Sequence, residues 1–179
     1  MFNIFSHDVF FNSSIRHLVQ HLKLPHSVSV VDLQCATYYK VPGARFHFLI
    51  NSFPMHKGMV SFTMNKQLYC FVSKGRSLAI GHIIDHVTDG IPVGEQIHLT
   101  RHERDFLCFL QTDLPVNDYA EVMGVTHKLV SNHKRGLMKK LGFESAHALY
   151  LMAKYMRAVR AAIPPQEDNK KNTVKLYCS

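Results

Sequence analysis

Apolar positions change their spacing near the middle of the chain. In the first half they come as short runs closed by breakers: Phe2–Ser6, Val28–Leu33, Arg45–Phe53 ended by Pro54, Met59–Met64 and Leu68–Val72. Runs of this length, rich in Val, Ile and Phe, read as strands. Between them Ser13–Leu24 places Ile15, Leu18, Val19 and Leu22 on one side, which predicts an amphipathic helix closed by Pro25. Gln34–Pro42 is irregular, and Ser77–Val87 predicts a second helix ended by Gly90. Alternating strands and helices of this kind predict a small α/β unit with a mostly parallel sheet.

Beyond residue 98 the apolar spacing becomes helical. Thr100-x-x-Glu103 is a capping-box pattern opening a helix over Arg101–Gln111, with Phe106, Leu107 and Leu110 facing inward. Asp113-Leu114-Pro115 makes a turn before a short helix over Val116–Met123. Met123-Gly124-Val125-Thr126 then reads as helix end, glycine turn and N-cap, leading into Thr126–Leu141. Val130, Leu137 and Leu141 give that helix one buried face. Ser145 caps a last helix, Ala146–Ala162, striped with Leu149, Met152, Ala153 and Met156 and stopped by Pro164-Pro165. The organisation predicted is an α/β domain over 1–90, a linker over 91–98, an all-α four-helix domain over 99–163 and a mobile tail over 164–179.

Charge sharpens the picture. The formal net charge is +8, yet residues 1–95 hold 8 basic and 5 acidic groups and residues 96–163 hold 10 and 6, so no half monopolises the excess. The densest local cluster is Val125–Leu141, with Lys128, Lys134, Arg135, Lys139 and Lys140 and no acidic residue. A short helix, a tight glycine turn and a basic second helix together outline a DNA-reading helix-turn-helix. A polyanion suits that charge better than a membrane does, and no apolar run approaches the ~20 residues a bilayer requires. The start, MFNIFSHDVFF, lacks the charged-then-apolar form of a signal peptide, and Cys35, Cys70, Cys108 and Cys178 form no CxxC pair. A cytoplasmic protein with reduced thiols is expected.

The helical half resembles the LuxR/NarL (FixJ-type) DNA-binding domain. The matching residues are Leu99-Thr100 and Glu103, Tyr119-Ala120, then Val130, His133, Leu137 and Lys140-Leu141-Gly142. Leu129 stands where that family usually carries a phosphate-holding threonine, and Tyr119 where it carries isoleucine. The resemblance implies a transcription regulator of a bacterium whose Thr126–Leu141 helix enters the major groove of double-stranded DNA. By position within that helix, Ser131, Asn132 and Arg135 face base edges, with Arg135 suited to guanine and Asn132 to adenine. Lys128, His133, Lys134, Lys139 and Lys140 are then placed for phosphates. Family sites are commonly paired, so a homodimer is expected, or a heterodimer with another regulator. The stripe Leu149, Met152, Met156 and Val159 of the last helix is a candidate contact surface.

The first half resembles, more weakly, a truncated response-regulator receiver, chiefly in LYCFVSKGRSLAIGHIIDHVTDG. A receiver holds Mg²⁺ on an acidic pair after its first strand and phosphorylates an aspartate after its third. Here those turns are Ser6-His7-Asp8 and Ile50-Asn51-Ser52, and Lys74 matches the lysine that follows a receiver's last strand in one of two registers a residue apart. Only about 15 residues separate Pro54 from Tyr69, too few for the helices a full receiver has there. Phosphoryl transfer therefore lacks its acceptor, and a degenerate receiver that mediates protein contacts is expected.

Other chemistry finds little footing. His17/His21 and His82/His86 have i, i+4 spacing, but two imidazoles do not make a zinc site and no glutamate accompanies them. No hydrolase or phosphate-loop signature occurs, so no enzyme activity, metal or cofactor is expected. The thirteen histidines leave a pH response open. Two other functions also remain open: an interaction protein that modulates a partner regulator, and a small-ligand or metal sensor built on the first half.

Overall fold

The structure, a computed structural model, describes residues 2–19, 27–35, 44–73, 94–112 and 114–162. The expected helix Ser77–Val87, Lys74, His21, the His82/His86 pair, Cys178 and the tail lie outside these residues. The first half runs β1 (Phe2–Phe5), α1 (Val9–Val19), β2 (Val28–Asp32), β3 (Phe46–Asn51), β4 (Met59–Met64), β5 (Gln67–Ser73) and β6 (Glu95–Gln96). The second half is α2 (Arg101–Leu110), α3 (Asp118–Val122), α4 (His127–Leu141) and α5 (Ala146–Ala162).

The strands form one six-stranded sheet in the order β1-β2-β3-β5-β4-β6. β1, β2, β3 and β5 are mutually parallel, as the alternating pattern predicted. β4 is antiparallel to β5, across a two-residue turn in which Asn65 and Lys66 both have positive φ, 51° and 60°. That is the backbone a twisted hairpin prefers. β2, rather than β1, lies inside the sheet next to β3, so the strands do not follow the doubly wound 2-1-3-4-5 order. Inside the expected linker, Glu95–Gln96 pairs with β4, and the Ile97 N–H donates to the Ser61 carbonyl at 2.8 Å.

Alternation along the strands sorts two cores. Val28, Val30, Phe48, Ile50, Cys70 and Val72 face the side where α1 presents Ile15. Val31, Leu49, Phe62, Tyr69 and Phe71 face the other side, and there the helical half covers them. α1 begins earlier than its apolar spacing predicted. Asp8 caps it by accepting the Phe11 N–H at 3.0 Å, and its first residues, Val9 and Phe10, are exposed. A cap followed by outward apolar residues hides a helix start from a periodicity reading.

A sheet apolar on both faces must be covered on both. The short β3-to-β4 connection supplies no helix, and α5 with its neighbours takes that place. Ala148, Leu149, Met152, Ala153, Tyr155, Met156 and Val159 are all buried in one core with the sheet residues. Burial is worth about 1.5–3 kcal/mol for each large side chain. The candidate dimer stripe Leu149, Met152, Met156 and Val159 is thus consumed inside the chain, a correction to the expectation of a free surface.

The two halves are also joined by polar contacts. His47 of β3 lies 2.8 Å from the Tyr155 hydroxyl of α5 through Nδ1 and 2.9 Å from Gln67 Oε1 through Nε2. Its ring stacks on Tyr69 at 4.8 Å. Burial lowers the His47 pKa to about 4, against hydrogen bonds to Gln67 and the Ala44 backbone that act to raise it. The β3–β4 loop is stitched to the end of α4: Met55 bridges Phe143, and the His56 N–H donates to the Gly142 carbonyl at 2.9 Å. Gly142 caps α4 at φ 76°, and a Cβ there would come within 2.8 Å of the Lys57 Cβ. Both facts require glycine.

Candidate nucleic-acid interface

The helical half builds its outward face from three short-range devices. The Thr100 hydroxyl accepts the Glu103 N–H at 3.3 Å while the Glu103 carboxylate accepts the Thr100 N–H at 2.6 Å, a complete capping box. The same carboxylate receives the Lys140 ammonium at 2.7 Å. Partial burial pushes the Glu103 carboxyl up, but Lys140 and the Thr100 hydrogen bonds outweigh it and hold the pKa below its ordinary value. α2 and α4 are thereby tied at one edge.

The turn between α3 and α4 is tight. Gly124 takes φ 61°, the Val125 N–H reaches back to the Ala120 carbonyl at 2.8 Å, and Thr126 caps α4 by accepting the Leu129 N–H at 3.3 Å. Tyr119 is 1% exposed, with its ring edge-on to Phe106 and Phe109 at 5.0 and 4.9 Å. The larger side chain at this position is therefore absorbed by aromatic packing between α2 and α3.

α4 has two unlike faces. Val130, Leu137 and Leu141 are buried against the rest of the domain. His127, Lys128, Leu129, Ser131, Asn132, Arg135, Gly136 and Lys139 are exposed. At about 100° per residue, Lys128, Asn132, Arg135 and Lys139 fall in one outward row, with Ser131 and Gly136 on opposite flanks. Asn132 and Arg135 are bonded to each other: the Arg135 guanidinium donates to Asn132 Oδ1 at 2.9 Å and, through Nε, to the Ser131 carbonyl at 3.4 Å. With its oxygen taken, the Asn132 amide keeps its N–H groups for an outside acceptor.

The five cationic candidates are not equivalent. Lys128 and Lys139 are exposed, and Lys134 is half-buried. Lys140 is half-buried and spends its ammonium on Glu103. The His133 ring sits among Phe106, Tyr119 and His102, parallel to the last at 5.8 Å, and its Nδ1 is buried without a partner. His133 thus packs α4 onto α2 and α3 rather than standing in the outward row. Leu129, which the resemblance set at a phosphate-holding position, is an apolar side chain 40% exposed on the first turn of α4. Sequence reasoning passed over Gly136, although a glycine inside a helical pattern is itself a signal.

Two helices at a tight turn, the second offering hydrogen-bonding and cationic side chains on an open face, define a helix-turn-helix DNA-binding domain. Residues 98–153 match the GerE family, described as bacterial regulatory proteins, luxR family, and form a LuxR-type domain of that family. This is the module of a DNA-binding transcription regulator. No curated protein and no solved structure matches the chain. Among the described residues, no three His, Cys, Asp or Glu side chains gather as a metal site, Cys35, Cys70 and Cys108 are buried, and no helix is long and apolar enough to cross a membrane.

Proposed function

We propose that this chain is a sequence-specific, phosphorylation-independent transcription regulator of a bacterium. It acts in the cytoplasm by binding double-stranded DNA, without catalysis and without a cofactor. The observation that carries this reading is the open outer face of α4, where Ser131, Asn132 and Arg135 stand beside Lys128 and Lys139 while the opposite face is buried. Arg135 is of the residue type that pairs in bidentate fashion with guanine, Asn132 of the type that does so with adenine once Arg135 releases its Oδ1, and Ser131 suits either kind of base edge. Lys128, Lys134 and Lys139 meet phosphates, with Lys140 reaching them from its carboxylate partner, and His133 supports the helix from behind. The functional units are the sheet domain over 1–90 and the reading domain over 99–163, joined through 91–98.

Phosphorylation independence rests on the carboxyl ends of the parallel strands, where α/β sheets place their chemistry. Asn51, fully buried at the end of β3, accepts the Phe53 N–H at 3.1 Å and offers an amide where an acyl phosphate needs a carboxylate. Asp32 at the end of β2 accepts the Gln34 N–H at 3.0 Å and the Ser6 hydroxyl at 3.4 Å, and is itself buried. Asp8 caps α1. These carboxylates are occupied in holding turns.

Two copies on a paired site, or one copy with another regulator, fit a single small reading domain; with the α5 stripe consumed, the pairing surface lies elsewhere. The test is selection of duplexes from a random pool by the full chain, followed by mobility shift. A recovered consensus bound more tightly than random duplex is expected. Recovery of no consensus by active, folded protein would sink the reading. Incubation with a small phosphodonor and Mg²⁺ should leave intact mass and affinity unchanged, and a stable adduct of about 80 Da (one phosphoryl group) that tightened binding would refute independence.

A further inference from the structure

Nothing among the described residues requires Gly136 to be glycine. It lies well inside α4, its φ is not in the left-handed region, and a Cβ added to it would meet no described atom within 4 Å beyond its own stretch of helix. An interior glycine costs a helix about 1 kcal/mol relative to alanine. No contact among the described residues offsets that cost. Beside it opens a groove lined by His56 and Lys57 from the β3–β4 loop, by Glu103, and by Gly136, Lys139 and Lys140 from α4. The lining carries three lysines and Glu103, with Glu95 on Lys57 and Glu144, 3.3 Å from His56 Nδ1, as further carboxylates at its rim, so that among the described residues Lys139 is its one lysine without a carboxylate partner. The loop is fixed in place by the Met55–Phe143 bridge and by the His56 N–H on the Gly142 carbonyl. Lys57 is held at the rim by Glu95 at 2.6 Å, as Lys140 is by Glu103.

We propose that this groove is a cradle for one phosphodiester strand, so that the sheet domain itself contacts DNA through Lys57 and His56. The proposal rests on the reading of α4 as the helix that enters the major groove. At about 100° per residue, Gly136 and Lys140 lie on a flank of α4, beside its outward row of Lys128, Asn132, Arg135 and Lys139. A helix filling a major groove about 12 Å wide has the sugar-phosphate walls against its flanks. The missing side chain at Gly136 lets the wall come close, and Lys139 and Lys140 on one side with Lys57 on the other neutralise it. Glu95 and Glu103 hold their lysines in place until phosphate competes for them.

The test uses the full chain with random-sequence duplex, read as affinity against salt. Lys57→Gln should weaken binding about three- to tenfold and flatten the salt slope by about one unit. Glu95→Gln separates this from a structural role, because it breaks the same ion pair while leaving the lysine. Tighter binding is expected from Glu95→Gln, whereas a Lys57 that served only that ion pair would move both variants in the same direction and overturn the proposal. Gly136→Gln should keep or raise the melting temperature and weaken binding about tenfold, the wall being pushed away. Unchanged binding by Lys57→Gln, Glu95→Gln and Gly136→Gln, in a protein whose Arg135→Ala variant loses sequence preference, would overturn the cradle alone. Failure of the unmodified chain to bind any duplex would overturn the reading of α4 and the cradle with it.

Discussion

Helix α4 buries three of its fifteen residues, Val130, Leu137 and Leu141. Helix α5, seventeen residues long, buries seven, in the core it shares with the other helices and the sheet. Both are amphipathic and both carry lysine or arginine on their outer faces, so composition alone does not separate them. What separates them is the partner each face requires. α5 completes a sheet that the short β3–β4 connection leaves uncovered, and its apolar stripe is wide because it is a layer of the fold. α4 has a narrow stripe, a glycine that no described neighbour requires, and an outward row of groups able to bond bases and phosphates. Its second partner lies outside the molecule. Stability and recognition are thereby assigned to different helices of one small domain, and substitutions should divide along the same line.

The largest effect is expected in α5. Met152→Ala empties space at a fully buried position of α5, in the core that the helices and the sheet share. It should cost about 2–5 kcal/mol of unfolding free energy, while the folded fraction keeps its affinity for DNA. Denaturant unfolding of the full chain measures it. A single transition should lose both halves together, because one core spans them. Two separate transitions would show that α5 belongs to an independent helical domain and that its burial on the sheet is weak.

Next in size is the acid sensitivity of the α5–sheet contact. The His47 pKa lies at about 4 in the folded chain, below its ordinary 6.5, because burial disfavours the imidazolium. The unfolded chain therefore takes up the proton first. Stability from this group is complete above about pH 6.5 and is lost as pH falls toward 4, by about 3 kcal/mol in all. His47→Gln should flatten the stability profile in that window relative to the unmodified chain. Parallel profiles would show that some other group sets the acid limit.

How much of this was legible beforehand differs between the halves for a physical reason. The capping box at Thr100, the glycine turn at Gly124, the Thr126 cap and the start of α5 were readable, because caps and turns are local chemistry. So were the spans of β2 through β5 within a residue or two. The start of α1 was missed, since Val9 and Phe10 are apolar yet face solvent. The docking of α5 on the sheet was missed as well. A helix stripe shows that something must cover it, and nothing local says whether that is a second copy or the same chain. Among the site residues, the exposed row of α4 followed from helical spacing. The diversion of Lys140 to Glu103 and of His133 to an aromatic cluster did not, because both partners come from α2 or α3, outside the helix being read.

On the recognition side the larger effect belongs to Arg135. Arg135→Ala removes a guanidinium from the outward row and frees Asn132 Oδ1 from its internal hydrogen bond. Binding to the selected site should weaken by about 1–3 kcal/mol with preference relaxed at one base pair. Stability should move by less than about 0.5 kcal/mol, as expected for an exposed position. Equal loss on all sequences would remove Arg135 from base reading. A large fall in stability would erase the contrast with α5.

The smallest effect, and the sharpest discriminator, is expected at Lys139. It is exposed at the end of the outward row, among the last-turn cations of α4, where a positive charge also favours the helix C-terminus by about 0.3–1 kcal/mol. Lys139→Ala thus carries two opposable predictions. If its charge serves only the helix, the variant should melt slightly earlier and bind every duplex as before. If it meets a phosphate, affinity should fall alike for selected and random duplexes, and the slope of log affinity against log salt should decrease by about one. The second result is expected, because Arg135→Ala and Lys139→Ala occupy one row with different chemistry. A planar fork can choose among base edges, whereas an ammonium on a flexible stem gives phosphates charge without choice. If Lys139→Ala changed sequence preference instead, the outward row would read bases over its whole length, and the phosphate contacts would have to come from the flanks of α4.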